Sequence, residues 1–204
     1  TLFNNRHPND AISQRHIHAN QNLNMLSKNK ELKIELFALS TQENDFVGFI
    51  KDSALVMASS GMKDSKKVYQ WDGQHFLNYY KCVLKEREYK AVPIMSKLKS
   101  NLHEGPGFYD DSSSTLFFTR NAPIHNGDFE NEKVSNLKIY SSKFEHQKWT
   151  KPRELPFNDK QYSNGHPTGI AGKSILIFSS NRLGGKGEAD LYMVNKQGAT
   201  WSQP

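Results

Sequence analysis

The sequence predicts a mainly β protein that forms about three four-stranded blades of a β-propeller, preceded by a short helical segment. The first observation behind this prediction is an internal repeat. Residues 105–121, GPGFYDDSSSTLFFTRN, align without a gap on residues 165–181, GHPTGIAGKSILIFSSN. The second is that each copy leads to a Trp-x-x-Pro ending, at Trp149 and at Trp201, and a diverged earlier copy occupies residues 46–93. A repeated β-rich unit cannot bury its own apolar faces, so such units stack as in propellers or solenoids.

The second and third units each divide into four predicted strands, A to D. In the second unit the strands are A at 107–110, B at 115–119, C at 136–143 and D at 148–153. In the third unit they are A at 168–171, B at 174–179, C at 189–195 and D at 199–203. Strand B is continuously apolar in every unit (LVMA, LFF and ILIF), which indicates a sheet that is covered on both faces. Propeller blades provide this cover because each sheet packs between two neighbours.

The predicted domains are a helical segment at 1–31 and a partial propeller at 32–204. The blades lie at about 46–98, 102–157 and 162–204. Asn9 or Asp10 can cap a helix over 10–28. Alternating residues in LKIEL predict a strand over 32–38, which we expect to join the last blade and close the ring. Propellers typically have about four to eight blades, so three would leave two open apolar faces. We therefore expect the parent protein to continue past Pro204, or another chain to complete the ring.

Composition limits the classes of function. The net charge is +6, and residues 63–99 hold nine Lys/Arg against four Asp/Glu. Such a stretch attracts polyanions, or it protects a strand edge with lysines; we favour the second interpretation and predict no nucleic-acid partner. The single cysteine, Cys82, excludes an internal disulfide and a multi-cysteine metal site. No apolar run reaches transmembrane length, so no transmembrane segment is predicted in this chain.

Candidate metal and catalytic residues are few. His103 and His166 lie near equivalent positions in two blades, but two histidines without a carboxylate form a weak zinc site. Asp110 and Asp111 are adjacent and diverge at a strand end, whereas glycosidase acids face each other across a cleft. Glu104 would suit the axis of an enzymatic propeller, but matching positions of the other blades hold no second carboxylate. We predict no cofactor, no metal and no enzymatic activity.

A polar rim is the best candidate for a binding surface. In a blade whose strands alternate in direction, strand A begins where strand B ends, so polar residues at these two ends share one face. The candidate partner-binding residues are Glu104, Arg120, Asn121, Asn164, Asn181 and Arg182. An alternative remains open for Asn121 and Asn181, which would simply cap the loops between strands B and C.

Several segments resemble a known family. Residues 102–121, 153–169 and 178–204 resemble the WD-like, TolB-type propeller repeats of Bacteroidota OmpA-family proteins, and residues 69–84 fit the first blade. The resemblance covers residues from about 45 to 204. The third A–B turn departs from it, because residues 169–173 lack the usual Ser-Pro-Asp-Gly.

The resemblance implies an architecture of tetratricopeptide helices, propeller and OmpA-type domain. The chain would belong to a Gram-negative Bacteroidota-type bacterium, in the periplasm or at the cell surface, associated with the outer membrane. Some relatives act beside the type IX secretion and gliding machinery. The OmpA-type domain itself is not represented in this chain, so its peptidoglycan binding is not carried over.

The resulting hypothesis is a non-enzymatic docking scaffold of the cell envelope whose partners are other envelope proteins. The alternative is a module that recognises glycan or peptidoglycan. Tyr69 and Trp71, if exposed on one face, would favour this alternative because sugars stack on aromatic rings. A hydrolase built on a propeller would need two carboxylates converging at the axis, and the sequence does not indicate them.

Overall fold

A computed structural model describes residues 35–62, 68–69, 73–86, 88–94, 97–122 and 135–204. The chain separates into two compact units, Thr1–Ala38 and Leu39–Pro204. The predicted helix over 10–28 lies outside the described residues. The predicted strand over 32–38 lies partly outside them, and its described part, residues 35–38, forms no strand.

The second unit is mainly β, as predicted, and its described residues form three open antiparallel sheets. Sheet one comprises β1 (Asp45–Lys51), β2 (Ala54–Ser59), β3 (Asn78–Lys85) and β4 (Glu88–Pro93), in that order. Sheet two comprises β5 (Glu104–Asp110), β6 (Thr115–Asn121), β7 (Leu137–Glu145) and β8 (Lys148–Trp149), and β9 (Arg153–Glu154) also pairs with β7. Sheet three comprises β10 (Asn164–Gly169), β11 (Ile175–Ser180), β12 (Asp190–Gln197) and β13 (Thr200–Trp201).

The observed strands differ from the predicted ones in two respects: one predicted strand is divided, and two strands begin earlier. The predicted strand D over 148–153 is two short strands, β8 and β9, because Pro152 lies between them and has no N–H to donate to a ladder. The first strands of sheets two and three begin earlier than predicted, at Glu104 and Asn164. Each contains a shift in register, which accommodates a proline inside the strand.

The three sheets pack face to face through alternating side chains of their second strands. On β6, Leu116 and Phe118 lie in the cluster with sheet one, whereas Phe117 lies in the cluster with sheet three. The first cluster contains Phe49, Val56, Ala58 and Tyr79 of sheet one together with Tyr109, Leu116, Phe118 and Trp149 of sheet two. The second contains Phe117, Ile139, Leu155 and Phe157 together with Leu176, Phe178 and Val194 of sheet three. Sheet two is therefore covered on both faces, as its apolar strand predicts.

The repeated tryptophan links each later sheet to the preceding one. The Trp149 ring meets the Phe49 ring of sheet one edge to face, with centroids 5.9 Å apart. The Trp201 ring meets the Phe117 ring of sheet two in the same manner, at 5.8 Å. Edge-to-face pairs of this kind add stabilisation beyond the apolar area that they bury. The Trp-x-x-Pro repeat therefore marks an inter-sheet contact.

Replacing Trp149 by alanine tests this packing. We expect Trp149→Ala to lower the free energy of unfolding by about 3–5 kcal/mol, because the large ring is buried between two sheets. Leu84→Ala is the control, since Leu84 is 63% exposed on β3, and it should change stability by less than about 0.5 kcal/mol. Urea denaturation measures both. Equal small effects would contradict the assignment of Trp149 to the core.

Candidate functional site

Two of the predicted rim residues, Glu104 and Arg120, form a buried ion pair. They face each other across β5 and β6. Arg120 Nε lies 2.9 Å from Glu104 Oε2, and Arg120 Nη2 lies 2.9 Å from Oε1. Nη2 also donates to the carbonyl of Leu98 at 2.7 Å, and the Ser100 hydroxyl donates to Glu104 Oε1 at 2.6 Å. Glu104 is fully buried and Arg120 is 7% exposed, so the pair lies inside the protein and presents no charge to a partner.

The environment of Glu104 shifts its proton affinity. Burial raises the pKa of the Glu104 carboxyl from 4.5 to about 7, although the Arg120 guanidinium and the Ser100 hydroxyl act in the opposite direction. Burial also raises the pKa of Tyr79, and the nearby Glu104 carboxylate raises it further. The Tyr79 hydroxyl donates to the carbonyl of Gly105, so the phenol is held beside this ion pair.

Sheet three has a similar arginine site. Its arginine, Arg182, does not align with Arg120 in the repeat. The pair Asn164–Ser180 in sheet three corresponds to the pair Glu104–Arg120 in sheet two, and Arg182 lies two residues beyond Ser180. In each sheet a guanidinium lies over one phenylalanine and one tyrosine ring, at 5.0–5.6 Å from the ring centroids. The two sets are Arg120 with Phe118 and Tyr140, and Arg182 with Phe178 and Tyr192.

The acceptor for the second arginine is an amide. Arg182 Nη2 donates to Asn164 Oδ1 at 3.1 Å and to the carbonyl of Phe157 at 3.5 Å, and Nε donates to the Ser180 hydroxyl at 3.2 Å. Asn164 is fully buried, whereas Arg182 is half-buried. The third sheet thus repeats the arginine site of the second sheet without a carboxylate.

Asn121 and Asn181 hold the entry to the first strand of each sheet. Asn121 Oδ1 accepts the backbone N–H of His103 at 2.7 Å, and Asn181 Oδ1 accepts that of Ser163 at 2.7 Å. Asn121 Nδ2 also donates to the Ser135 hydroxyl at 3.5 Å. The main contact of both asparagines is therefore with the segment before the first strand, and not with the loop between strands B and C that the alternative names.

The six residues do not form one continuous exposed rim, because half of them are buried. Glu104, Arg120 and Asn164 are buried, so the predicted binding role would fall on the other three. Asn181 is exposed, and Asn121 and Arg182 are half-buried. Polar residues at strand ends were expected to face solvent, but Glu104 bonds to Arg120 and Asn164 bonds to Arg182 across neighbouring strands.

Asp110 joins the turns of two sheets. Its Oδ1 accepts the backbone N–H and the hydroxyl of Ser112 and, at 3.1 Å, the N–H of Gly172 in sheet three. Its Oδ2 accepts the Ser113 hydroxyl at 2.6 Å. Burial acts to raise the pKa of Asp110, but these donors outweigh burial and hold the pKa below its usual value. This carboxylate therefore stabilises a turn.

Neither candidate histidine has the surroundings of a metal ligand. Within the described ranges, no group of three or more His, Cys, Asp and Glu side chains is placed to hold a metal ion. His103 packs against the rings of Tyr69 and Phe76, with centroids 4.7 and 4.9 Å away. The His166 backbone adopts a φ of 54° and donates to the Thr119 hydroxyl at 2.8 Å. Tyr69 is 36% exposed, and Trp71, the other ring of the glycan alternative, lies outside the described residues.

Sheet three has one apolar face that the described residues leave exposed. Leu191 pairs with Ser179 on β11, just as the fully buried Ile139 pairs with Thr119 on β6. Leu191 is nevertheless 78% exposed, and Met193 on the same face is 51% exposed. Sheet two packs against sheet three through the face that carries Ile139. The same face of sheet three carries Leu191, and this face is exposed to solvent. We call it the sheet-three outer face.

A groove lies between sheets one and two. Its cavity volume is about 160 Å³, and its lining residues are Phe49, Lys51, Asp52, Val56, Lys81, Ile94, Phe144 and Trp149. The sequence does not predict this groove, because its lining comes from two different repeats. The one local signal is Lys81, which is the single charged residue within NYYKCVL of β3.

Comparison with known proteins does not identify a family. Neither a scan against models of protein families nor a search among curated proteins gives a match to this chain. The resemblance to OmpA-associated propeller repeats therefore stays a prediction from the motifs. In the part of the chain that the structure describes, no helix is long and apolar enough to cross a membrane.

The Glu104 carboxyl makes stability depend on pH. Because its pKa in the folded protein is above its usual 4.5, the folded state binds the proton more tightly than the unfolded state. This contribution to stability is fully present below pH 4.5 and is lost as the pH rises through about 7. We expect the melting temperature of the wild type to decrease, relative to that of Glu104→Gln, as the pH is raised from 4.5 to about 7. Thermal melts followed by circular dichroism test this, with Glu154→Gln as the control that keeps the wild-type pH dependence. A constant difference between wild type and Glu104→Gln would refute it.

The two arginines should differ in their contribution to stability. Above pH 7, where the Glu104 carboxyl is ionised in the wild type, Arg120→Ala removes the partner of this buried group and should cost about 3–5 kcal/mol. Arg182→Ala leaves a neutral amide and should cost about 1–2 kcal/mol. Chemical denaturation compares the two variants. A larger loss for Arg182→Ala would show that the ion pair is not the stronger of the two sites.

Proposed function

We propose that this chain contributes three consecutive blades of a β-propeller and acts as a non-enzymatic protein-docking module. The support for a propeller is the way in which the sheets follow one another. The face of sheet one that carries Val56 and Tyr79 packs on sheet two, and the corresponding face of sheet two, with Phe117 and Ile139, packs on sheet three. Repetition of the same contact from sheet to sheet is the packing of propeller blades.

The observation that carries the docking function is the sheet-three outer face. A patch of aliphatic side chains on an ordered sheet favours a protein contact, because each side chain that becomes fully buried contributes about 1.5–3 kcal/mol. The occupant that we propose is another four-stranded sheet of the same repeat. Such a sheet would present side chains like Leu176 and Phe178, which sheet three uses against sheet two.

The envelope location rests on the resemblance alone. We propose that the module works in the periplasm or at the cell surface, within an outer-membrane-associated assembly related to type IX secretion or gliding. Its partners would be other proteins of the envelope. The motifs in residues 102–121 and 178–204 support this assignment.

A charge placed on the sheet-three outer face tests the docking proposal. We expect Leu191→Glu to lose at least ten-fold in binding to partners captured from native envelope, because docking would bury an unpaired carboxylate. Leu183→Glu is the matched control, since Leu183 is 83% exposed in the loop before β12 and lies outside this face. Capture on the immobilised chain, with mass spectrometry of the bound proteins, measures the difference.

Both variants must melt at the wild-type temperature for the comparison to hold. If Leu191→Glu retains every partner while Leu183→Glu loses them, docking uses the loops beside Arg182 and the proposed face is wrong. If neither the wild type nor the two variants capture protein, but all three chains bind peptidoglycan fragments, the glycan alternative replaces the docking function.

A further inference from the structure

We propose that the groove between sheets one and two binds a small apolar carboxylate. The apolar part of this ligand would be an aromatic ring or a branched alkyl group, and its carboxylate would be attached close to that group. This ligand site is separate from the docking face on sheet three and does not depend on it. The groove has a volume of about 160 Å³. Cavities of about 150 Å³ with apolar walls accept a benzene-sized group. The walls here include the rings of Phe49, Phe144 and Trp149, so the groove suits a single ring.

The mouth of the groove carries an excess of positive charge. Lys51 lies with its ammonium 4.3 Å from the centre of the Phe144 ring and pairs with Asp52. Lys81 also lines the groove and is exposed, and among the described residues it has no ion-pair partner. Two ammonium groups and one carboxylate leave one positive charge for a ligand to neutralise.

The corresponding groove between sheets two and three provides an internal comparison. It retains the tryptophan wall, with Trp201 in the place of Trp149, and the strand position of Phe49 is occupied by Phe108. The strand position of Lys51 is occupied by Asp110. Asp110 is satisfied by hydroxyl and backbone donors of the adjoining turns, so it does not face a ligand.

The strand position of Lys81 also holds no lysine in sheet two, although Lys173 and Lys196 line the second groove. Lys81 pairs with Val56, and the corresponding pair in sheet two is Ser141 with Phe117. Stacking of two sheets therefore requires the aromatic walls but no lysine at these two strand positions. Lys173 and Lys196 of the second groove come from sheet three. The first groove differs in that sheet one places Lys51 and Lys81 on its packed face.

The charge of the ligand follows from the same residues. One carboxylate matches the single excess positive charge, whereas a phosphate or a polyanion would bring additional negative charge close to Asp52. The apolar walls require that the rest of the ligand be uncharged. A phenyl group one or two carbons from a carboxylate satisfies both conditions.

Binding of phenylacetate to the full chain tests the site. We expect saturable binding with a Kd on the order of 1 mM, measured by isothermal titration or by NMR. Phenylacetamide, which has the same ring but no charge, should bind more weakly. Lys81→Gln should weaken phenylacetate binding about two- to five-fold, in the range of an exposed charge contact, and should leave phenylacetamide binding unchanged.

Lys196→Gln is the matched control, because Lys196 lines the groove between sheets two and three. It should leave phenylacetate binding as in the wild type. Equal binding of phenylacetate and phenylacetamide, or no effect of Lys81→Gln in a chain with unchanged melting temperature, would overturn the proposal. Equal weakening by Lys196→Gln and Lys81→Gln would also overturn it, since the effect would then be one of overall charge.

Two sources would supply this chemistry, a free organic acid and the end of a peptide chain. A tetrapeptide that ends in phenylalanine with a free carboxylate, and its amidated form, separate them. Tighter binding of the free-carboxylate peptide than of phenylacetate supports a chain terminus, and binding of phenylacetate alone supports a small acid. Failure of both probes to bind overturns the site, while the docking test at Leu191 remains independent of this result.

Discussion

The structure depends on second strands that carry apolar side chains on both faces. On β6, Leu116 and Phe118 point to one neighbour and Phe117 points to the other, so no single sheet can remove this strand from water. Stacking of whole sheets is the solution that the chain uses. The tryptophans follow from the same constraint, because Trp149 and Trp201 each pack against a phenylalanine ring of the preceding sheet.

Stacking also explains the two arginine sites. Each guanidinium lies over a phenylalanine and a tyrosine of its own sheet, near the inter-sheet cluster. Arg120 is buried, and its ion-pair partner is the carboxylate of Glu104. Arg182 is half-buried and keeps part of its hydration, so the neutral amide of Asn164 is sufficient. Solvent access thus decides which acceptor each site uses.

Both surfaces for which we propose a function lie where one sheet differs from its repeat. The sheet-three outer face repeats a contact surface of sheet two, but Leu191 on it faces solvent where Ile139 is covered. The groove between sheets one and two keeps the aromatic walls of its repeat, and it has Lys51 and Lys81 at strand positions that hold Asp110 and Ser141 in sheet two. Both features need a stable frame, and the repeated packing of the sheets supplies one.

The sequence by itself determined the β class, the repeat, the covered second strands and the general positions of strands A to D. These properties are encoded locally, in the alternation of apolar residues and in the turn residues. It did not determine the break at Pro152 or the burial of the rim, because the polarity of Glu104 does not reveal that Arg120 faces it across two strands. Lys81 resembled a protective edge lysine for the same reason. Only tertiary packing, which brings Trp149 of another repeat beside it, makes that lysine part of a groove.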